Sequence, residues 1–403
     1  MSDDSRFRFF DRVRTAIIII VVVFHVSAAH TGFPVYIMEQ NSHIAFAYFN
    51  LICNAFMMNT LFLVAGYFSV ASIERRSRTE FVIGKLWRIG IPLLFGIIFL
   101  GPLMPYMGFA SLSFEGLDGP GLLSFLGVYF GSLLTDWALP VKFTTNTNFH
   151  QHHFWFLSVL LFIFCIQAWG YPLWKKWVGS TNDPPLGLRP SVPVFLGVAC
   201  LTALFAVVGN VVSQDLFSTR VIVGVLQIGA SFPTQVVYFA LGVVAYRSRW
   251  FVDPDRIPKS ILVWLLLAAG SITCACITGW WVFGVDDVPL HHHVAFQGSM
   301  ALTCVSLVVL THMLVYRFWR SPGRFSDSLS ENSFGIYLVQ YPVILALQLP
   351  LISWNPFHGF KWVVVSIASL LVSWLLAEFF IRKMPRVGMA LTVALFGVIL
   401  IAT

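Results

Sequence analysis

Apolar runs long enough to cross a roughly 30 Å hydrocarbon core recur along this chain, separated by short polar segments. They predict spans at about 15–33, 47–72, 86–106, 153–172, 191–212, 221–246, 260–284, 294–315, 333–352, 361–381 and 387–403. The last run is the shortest. One connection is long: residues 107–152 contain a moderately apolar stretch, Leu122 to Leu139, interrupted by Asp136. That stretch is too polar for a span and reads as an interfacial or re-entrant helix. No internal repeat is visible, so the symmetry of many transporters is not supported. The pattern predicts an all-α, polytopic transmembrane helical bundle of about 10–11 spans.

Composition sharpens this picture. The chain is 58% hydrophobic and 11% charged, with a mean hydropathy of +0.80, which no soluble domain matches. The formal charge of +7 is not gathered on one soluble segment, so nucleic acid is not an expected partner. The basic residues report orientation instead. If the N-terminus is cytoplasmic, all but Lys142, Arg220 and Lys361 of the 25 basic residues fall on the inner side. The first run lacks a persuasive cleavage site and reads as a retained signal-anchor helix. Cys53, Cys165, Cys200, Cys274, Cys276 and Cys304 all lie in predicted spans and read as small packing residues, not as metal ligands or disulfides.

The first span holds the leading chemical candidates. It opens with Asp11, Arg12, Val13 and Arg14, continues through the apolar run Ile17 to Val23, and reaches His25. Eleven residues at about 100° each make three turns plus roughly 20°, so Arg14 and His25 share one face, roughly 16 Å apart along the axis. An ionisable residue within a span is a functional candidate. A neutral imidazole can take a proton from an attacking hydroxyl, or attack a carbonyl itself. A histidine that merely bonds a neighbouring helix is the competing account. Asp11 stands one turn before Arg14 and can pair with it. Arg6, Arg8 and Arg12 read as topological anchors.

Other positions are less specific. Arg75, Arg76 and Arg78, followed by Lys85 and Arg88, place several guanidinium groups beside the inner mouth, suited to a phosphate-rich ligand or simply to orientation. Asn50 and Asn54 share a face of the second span, where they line a polar path or bind helices together. Glu378 is expected to pair with Arg382. His291, His292 and His293, and His150, His152 and His153, have poor spacing for one metal ion and read as solvated loop residues or sugar contacts.

The motifs resemble the membrane-bound acyltransferase-3 family across most of the chain. The resemblance rests on Asp11 and Arg14 with His25, on Phe62-Leu63-Val64-Ala65-Gly66-Tyr67, on the Arg75-Arg76-Ser77-Arg78 loop and on Arg88-Ile89-Gly90-Ile91-Pro92. Phe154-Trp155-Phe156-Leu157 and Ser333-Phe334-Gly335-Ile336-Tyr337-Leu338 complete the set. It implies an acyltransferase-like membrane domain over 1–386, followed by an additional C-terminal helix over 387–403. It also implies O-acylation of an extracytoplasmic glycan or related hydroxyl acceptor at a bacterial inner membrane, with cytoplasmic acyl-CoA as donor and no tightly bound cofactor. Arg14 and His25 match the family's essential pair, and Arg75, Arg76 and Arg78 match its donor-side loop, with Arg88 beside it and Asp11, Asn54 and Tyr337 in support. Many members carry a histidine where Gln340 stands here, and glutamine cannot titrate. A pantetheine arm is on the order of the Arg14–His25 rise, so a thioester can reach His25 while its phosphates stay among the inner arginines. The alternative is a secondary transporter or exporter with His25 in a proton relay. Neither account fixes the oligomeric state.

Overall fold

The computed structural model describes residues 3–33, 35–39, 42–113, 121–135, 138–140, 149, 151–180, 183–211, 220–222, 226–228, 231–252, 258, 260–283, 288–354, 356–383 and 394. The expected span 387–403, apart from residue 394, lies outside the described residues, as do Asp136, Lys142 and His150.

The bundle is helical, as the pattern predicts. In chain order the helices are α1 Asp3–Ala28, α2 Ile44–Glu74, α3 Arg78–Lys85, α4 Ile91–Phe95, α5 Leu103–Ser113, α6 Leu122–Thr135 and α7 Trp155–Val178. They continue as α8 Val192–Val211, α9 Phe232–Arg247, α10 Ile261–Val282, α11 Leu290–Phe318, α12 Arg324–Glu331, α13 Ser333–Gln348 and α14 His358–Leu376. Among the described residues, eight helices are long and apolar enough to cross a membrane. The β-branched run of α1 would weaken a helix in water. In hydrocarbon, where every backbone group needs an internal partner, helix is the form it takes.

The third span, Arg78–Ser111, joins α3, α4 and α5 through two wider π-helical stretches, Leu86–Gly90 and Gly96–Leu100. The loop stretch after it forms a short helix, α6, over Leu122–Thr135, while its expected end near Leu139 lies in a short strand. The expected span 221–246 is corrected. Its first part is two short strands, β2 Arg220–Ile222 and β3 Leu226–Ile228, antiparallel to each other, with β1 Ala138–Pro140 pairing with β2. Helix begins only at Phe232, with Pro233 in its first turn. A short β-branched run has the same hydropathy whether it is strand or helix, so its period decides nothing.

α2 and α9 meet with their backbones almost in contact. A Cβ on Gly66 would stand 2.0 Å from the Phe239 carbonyl oxygen, and one on Gly242 would stand 2.0 Å from that of Leu63. Without a hydrophobic drive between helices in lipid, such small-residue contacts supply the packing. α1 packs against α2, α11, α13 and α14, which places it inside the bundle. Phe9 and Phe10 on its first turns are fully buried against Tyr67, Phe68, Phe251 and His312.

Candidate functional site

His25 lies in the last turn of α1 and faces protein. It is half-buried, whereas Val22, Val26 and Ser27 around it are sealed. Its Nδ1 lies 3.0 Å from the side-chain oxygen of Gln340 on α13. That oxygen can only accept, so Nδ1 carries the proton and Nε2 keeps its lone pair. The Tyr341 ring stacks on the imidazole at 4.5 Å and 20°. His153 stands edge-on at 6.2 Å and 76°. The site is therefore built where the end of α1, the middle of α13 and the start of α7 converge.

Three further groups complete this cluster. The Tyr337 hydroxyl donates to the His153 backbone carbonyl at 2.7 Å. His152 is gripped from both sides, with the Tyr36 hydroxyl on Nδ1 and that of Tyr129, from α6, 2.9 Å from Nε2. One ring nitrogen of a neutral histidine donates and the other accepts, so the two tyrosines play opposite roles. The reading of His152 and His153 as solvated loop residues is thus overturned: both are buried. They sit on a 3₁₀ turn, His152–Phe154, that leads into α7, and the turn folds inward instead of out to water. Tyr129 and Tyr36 are the other residues that sequence reasoning missed.

The other end of α1 carries the cations. Arg14 is exposed and paired with Asp11. Arg88 lies close enough to Arg14 for their charges to repel, and Lys85 feels both Arg88 and Arg76. Arg76 reaches back over Gly84, and Lys85 sits 4.1 Å from the Phe164 ring centroid. The corner that positions them is a capping box. Ser77 Oγ accepts from the Glu80 N–H at 3.2 Å, and Glu80 accepts from the Ser77 N–H at 2.9 Å. Arg14, Arg76, Lys85 and Arg88 thus form one concentration of positive charge, able to hold phosphates. Arg75 and Arg78 are exposed on the same corner, and among the described residues no contact joins them to Arg14.

Arg12, read as a topological anchor, has a packing role that the sequence did not show. Its side chain is 0% exposed. It bonds Asp327 and the Ser326 carbonyl, both on α12, and Ser330 Oγ at 2.8 Å. Two residues along a helix differ by about 200°, so Arg12 faces protein while Arg14 faces out. Asn50 binds Ser27 of α1, whereas Asn54 one turn later is exposed. Glu378 pairs with Arg382 at 3.1 Å, as expected. At the far end, Lys361 and Glu39 form a buried ion pair at 2.7 Å, and Lys361 also donates to the Leu351 carbonyl. Among the described residues no cluster of metal-ligating side chains is present.

Comparison with known proteins decides the family. The sequence model of the acyltransferase domain matches residues 7–378. The chain belongs to the acyltransferase-3 family. It is a multi-pass membrane acyltransferase. It is similar to glucans biosynthesis protein C of Escherichia coli K12, with 24% identity over 164 residues, or 40% of this chain and 38% of that protein. The same protein from the O1:K1 and O139:H28 strains matches equally. The chain thus spans well under half of those relatives' length. No solved structure matches it.

Within this acyltransferase, the family motifs take on physical meaning. Gly66 is the close approach of α2 to α9. Gly96 lets the Phe154 ring lie 2.6 Å from where its Cβ would be, bringing the start of α7 against the third span. Tyr337 and Gln340 lie on one face of α13, one turn apart, and touch His153 and His25 respectively.

Proposed function

We propose that this acyltransferase moves an acyl group from acyl-CoA to a hydroxyl of an extracytoplasmic glycan or a related acceptor, at the inner membrane of a bacterium. The observation that carries the proposal is His25. It has its Nδ1 engaged by Gln340, its Nε2 free of any hydrogen bond among the described residues, and a continuous helix running from it to Arg14. In this reading the basic end faces the cytoplasm, in keeping with the asymmetry of basic residues. The phosphates of the donor rest among Arg14, Arg76, Lys85 and Arg88, with Arg75 and Arg78 adding longer-range attraction. The pantetheine arm follows α1 inward, and the thioester meets His25.

His25 Nε2 takes the proton of the acceptor hydroxyl as its oxygen attacks the thioester carbon. The C–S bond then breaks, and the same proton passes to the departing sulfur. Thioesters are already activated, so a positioned base supplies roughly 10²–10⁴-fold, and alignment of the two substrates supplies the rest. Tyr337 supports the site through His153. Asp11 holds the Arg14 side chain over the entrance. Asn54, which is exposed on α2, is given no role in this mechanism.

Mass spectrometry of envelope glycans from cells with and without the protein tests the reading. The expected result is an acyl mass increment present only with the protein and lost in His25→Ala at equal protein level. Identical glycans in both strains would return the molecule to the transport reading. Retained acylation in His25→Ala would remove the base.

A further inference from the structure

The groups around His25 hold more hydrogen-bonding capacity than the protein uses. Gln340 is 0% exposed and its Nε2 has no hydrogen-bond partner. His153 is 7% exposed, and neither ring nitrogen makes a well-formed hydrogen bond. The backbone of Tyr337 and Leu338 lies beside that ring. The helical partner of the Leu338 carbonyl is absent because residue 342 is proline. Buried polar atoms without partners are rare, and a ligand that completes them is a standard reason for their persistence.

The chain goes to some trouble to place this ring. The residue before it, His152, takes a left-handed φ of 49°, unusual for a side chain of that size. Tyr36 and Tyr129 clasp His152, and Tyr337 holds the His153 carbonyl. The three aromatic groups then enclose one corner. Tyr341 stacks on His25, and His153 stands edge-on to both, 5.6 Å from Tyr341 and 6.2 Å from His25. Rings this close allow one small group to touch both imidazoles.

During acyl transfer one atom in that corner gains charge. As the acceptor oxygen bonds to the thioester carbon, the carbonyl oxygen becomes an oxyanion. It returns to a carbonyl when the C–S bond breaks and the thiolate leaves with the proton that His25 took. We propose that His153 is a second catalytic histidine, donating a ring N–H to this oxyanion, with Gln340 Nε2 as the companion donor. This rests on the acyl-transfer reading above. His153 takes no proton away and gives none up, so the proton and the electron pairs balance through His25 and the sulfur alone. Donors fixed in a dry site cost no reorganisation during the reaction, which is where such groups gain their effect.

The test uses the full-length protein in lipid nanodiscs, with acetyl-CoA and succinyl-CoA as donors and a periplasmic glycan extract as acceptor. Thiol release and acyl transfer are both followed. His153→Phe should lower kcat by about 10²–10³-fold with little change in the KM for the donor. His153→Gln, which restores an N–H, should recover at least about tenfold of that loss, as expected of a donor of comparable strength. Should His153→Phe fail to assemble, His153→Ala is compared with His153→Gln in the same way. Wild-type kcat in His153→Phe would overturn the proposal alone. So would equal inactivity of the two variants, which marks a packing role. If wild-type protein transfers nothing from either donor, the acyl-transfer reading falls and the second histidine falls with it.

Discussion

Gln340 presents its side-chain oxygen to Nδ1 of His25 across 315 positions of sequence, at 3.0 Å. The contact fixes the imidazole tautomer and its direction from a second helix. A residue that cannot titrate suits this task better than a second histidine, because its acceptor persists at every pH.

Removal of that acceptor is the first expectation. Gln340→Leu keeps the volume but frees the tautomer and the ring, and should lower kcat by about 10–10²-fold, toward the lower range for an acid–base group. Gln340→Glu retains an acceptor and should lose less. Steady-state rates with acetyl-CoA distinguish the two. Equal losses would deny Gln340 a role through its accepting oxygen at His25 Nδ1.

Arg12 and Arg14 should separate stability from activity. Arg12→Ala removes a buried guanidinium from Asp327, Ser326 and Ser330. Losing one partner of a fully buried pair costs about 3–5 kcal/mol. Asp327 is 41% exposed and recovers water, so about 2 kcal/mol is expected here. Arg14→Ala removes only an exposed pair and should leave the unfolding temperature in detergent nearly unchanged while weakening coenzyme A binding. That weakening should shrink as salt is raised. An equal fall in unfolding temperature for both variants would contradict the assignment.

The α2–α9 contact should tolerate no added carbon. Gly66→Ala and Gly242→Ala each place a Cβ against a carbonyl of the facing helix, so the helices must part. Each should cost about 1–3 kcal/mol, typical of overpacking. The double variant should cost less than the sum, since one separation relieves both clashes. Thermal unfolding of the three variants measures this directly. Additive losses would show two independent contacts.

The helical bundle was legible in the sequence because lipid leaves a spanning segment few other forms. The helix that carries both Arg14 and His25 was legible for a similar reason, although the pitch did not show that Arg14 would be exposed while His25 turns toward protein. The partners of His25 were not. Gln340, Tyr341 and His153 come from helices far along the chain, and no local period records which faces of two helices meet. His153 shows the difficulty well. Three histidines within four positions read as a solvated loop, and only the inward turn at His152 reveals a buried ring. The burial of Arg12 beside an exposed Arg14 has the same cause. The pitch separates their directions but does not say which side is covered by α12.

The two π-helical stretches of the third span bear on how this architecture can change. A π turn amounts to one extra residue within an α-helix, so each stretch resets the angular phase of everything beyond it by about 100°. Arg88 lies inside the first and Gly96 opens the second. Loss of a single residue from either would swing Gly101 off the Tyr129 hydroxyl, which lies 3.1 Å from where its Cβ would be. Descendants of this gene can exchange the lipid-exposed side chains of that helix, but cannot shorten it without dismantling the wall on which His152 leans.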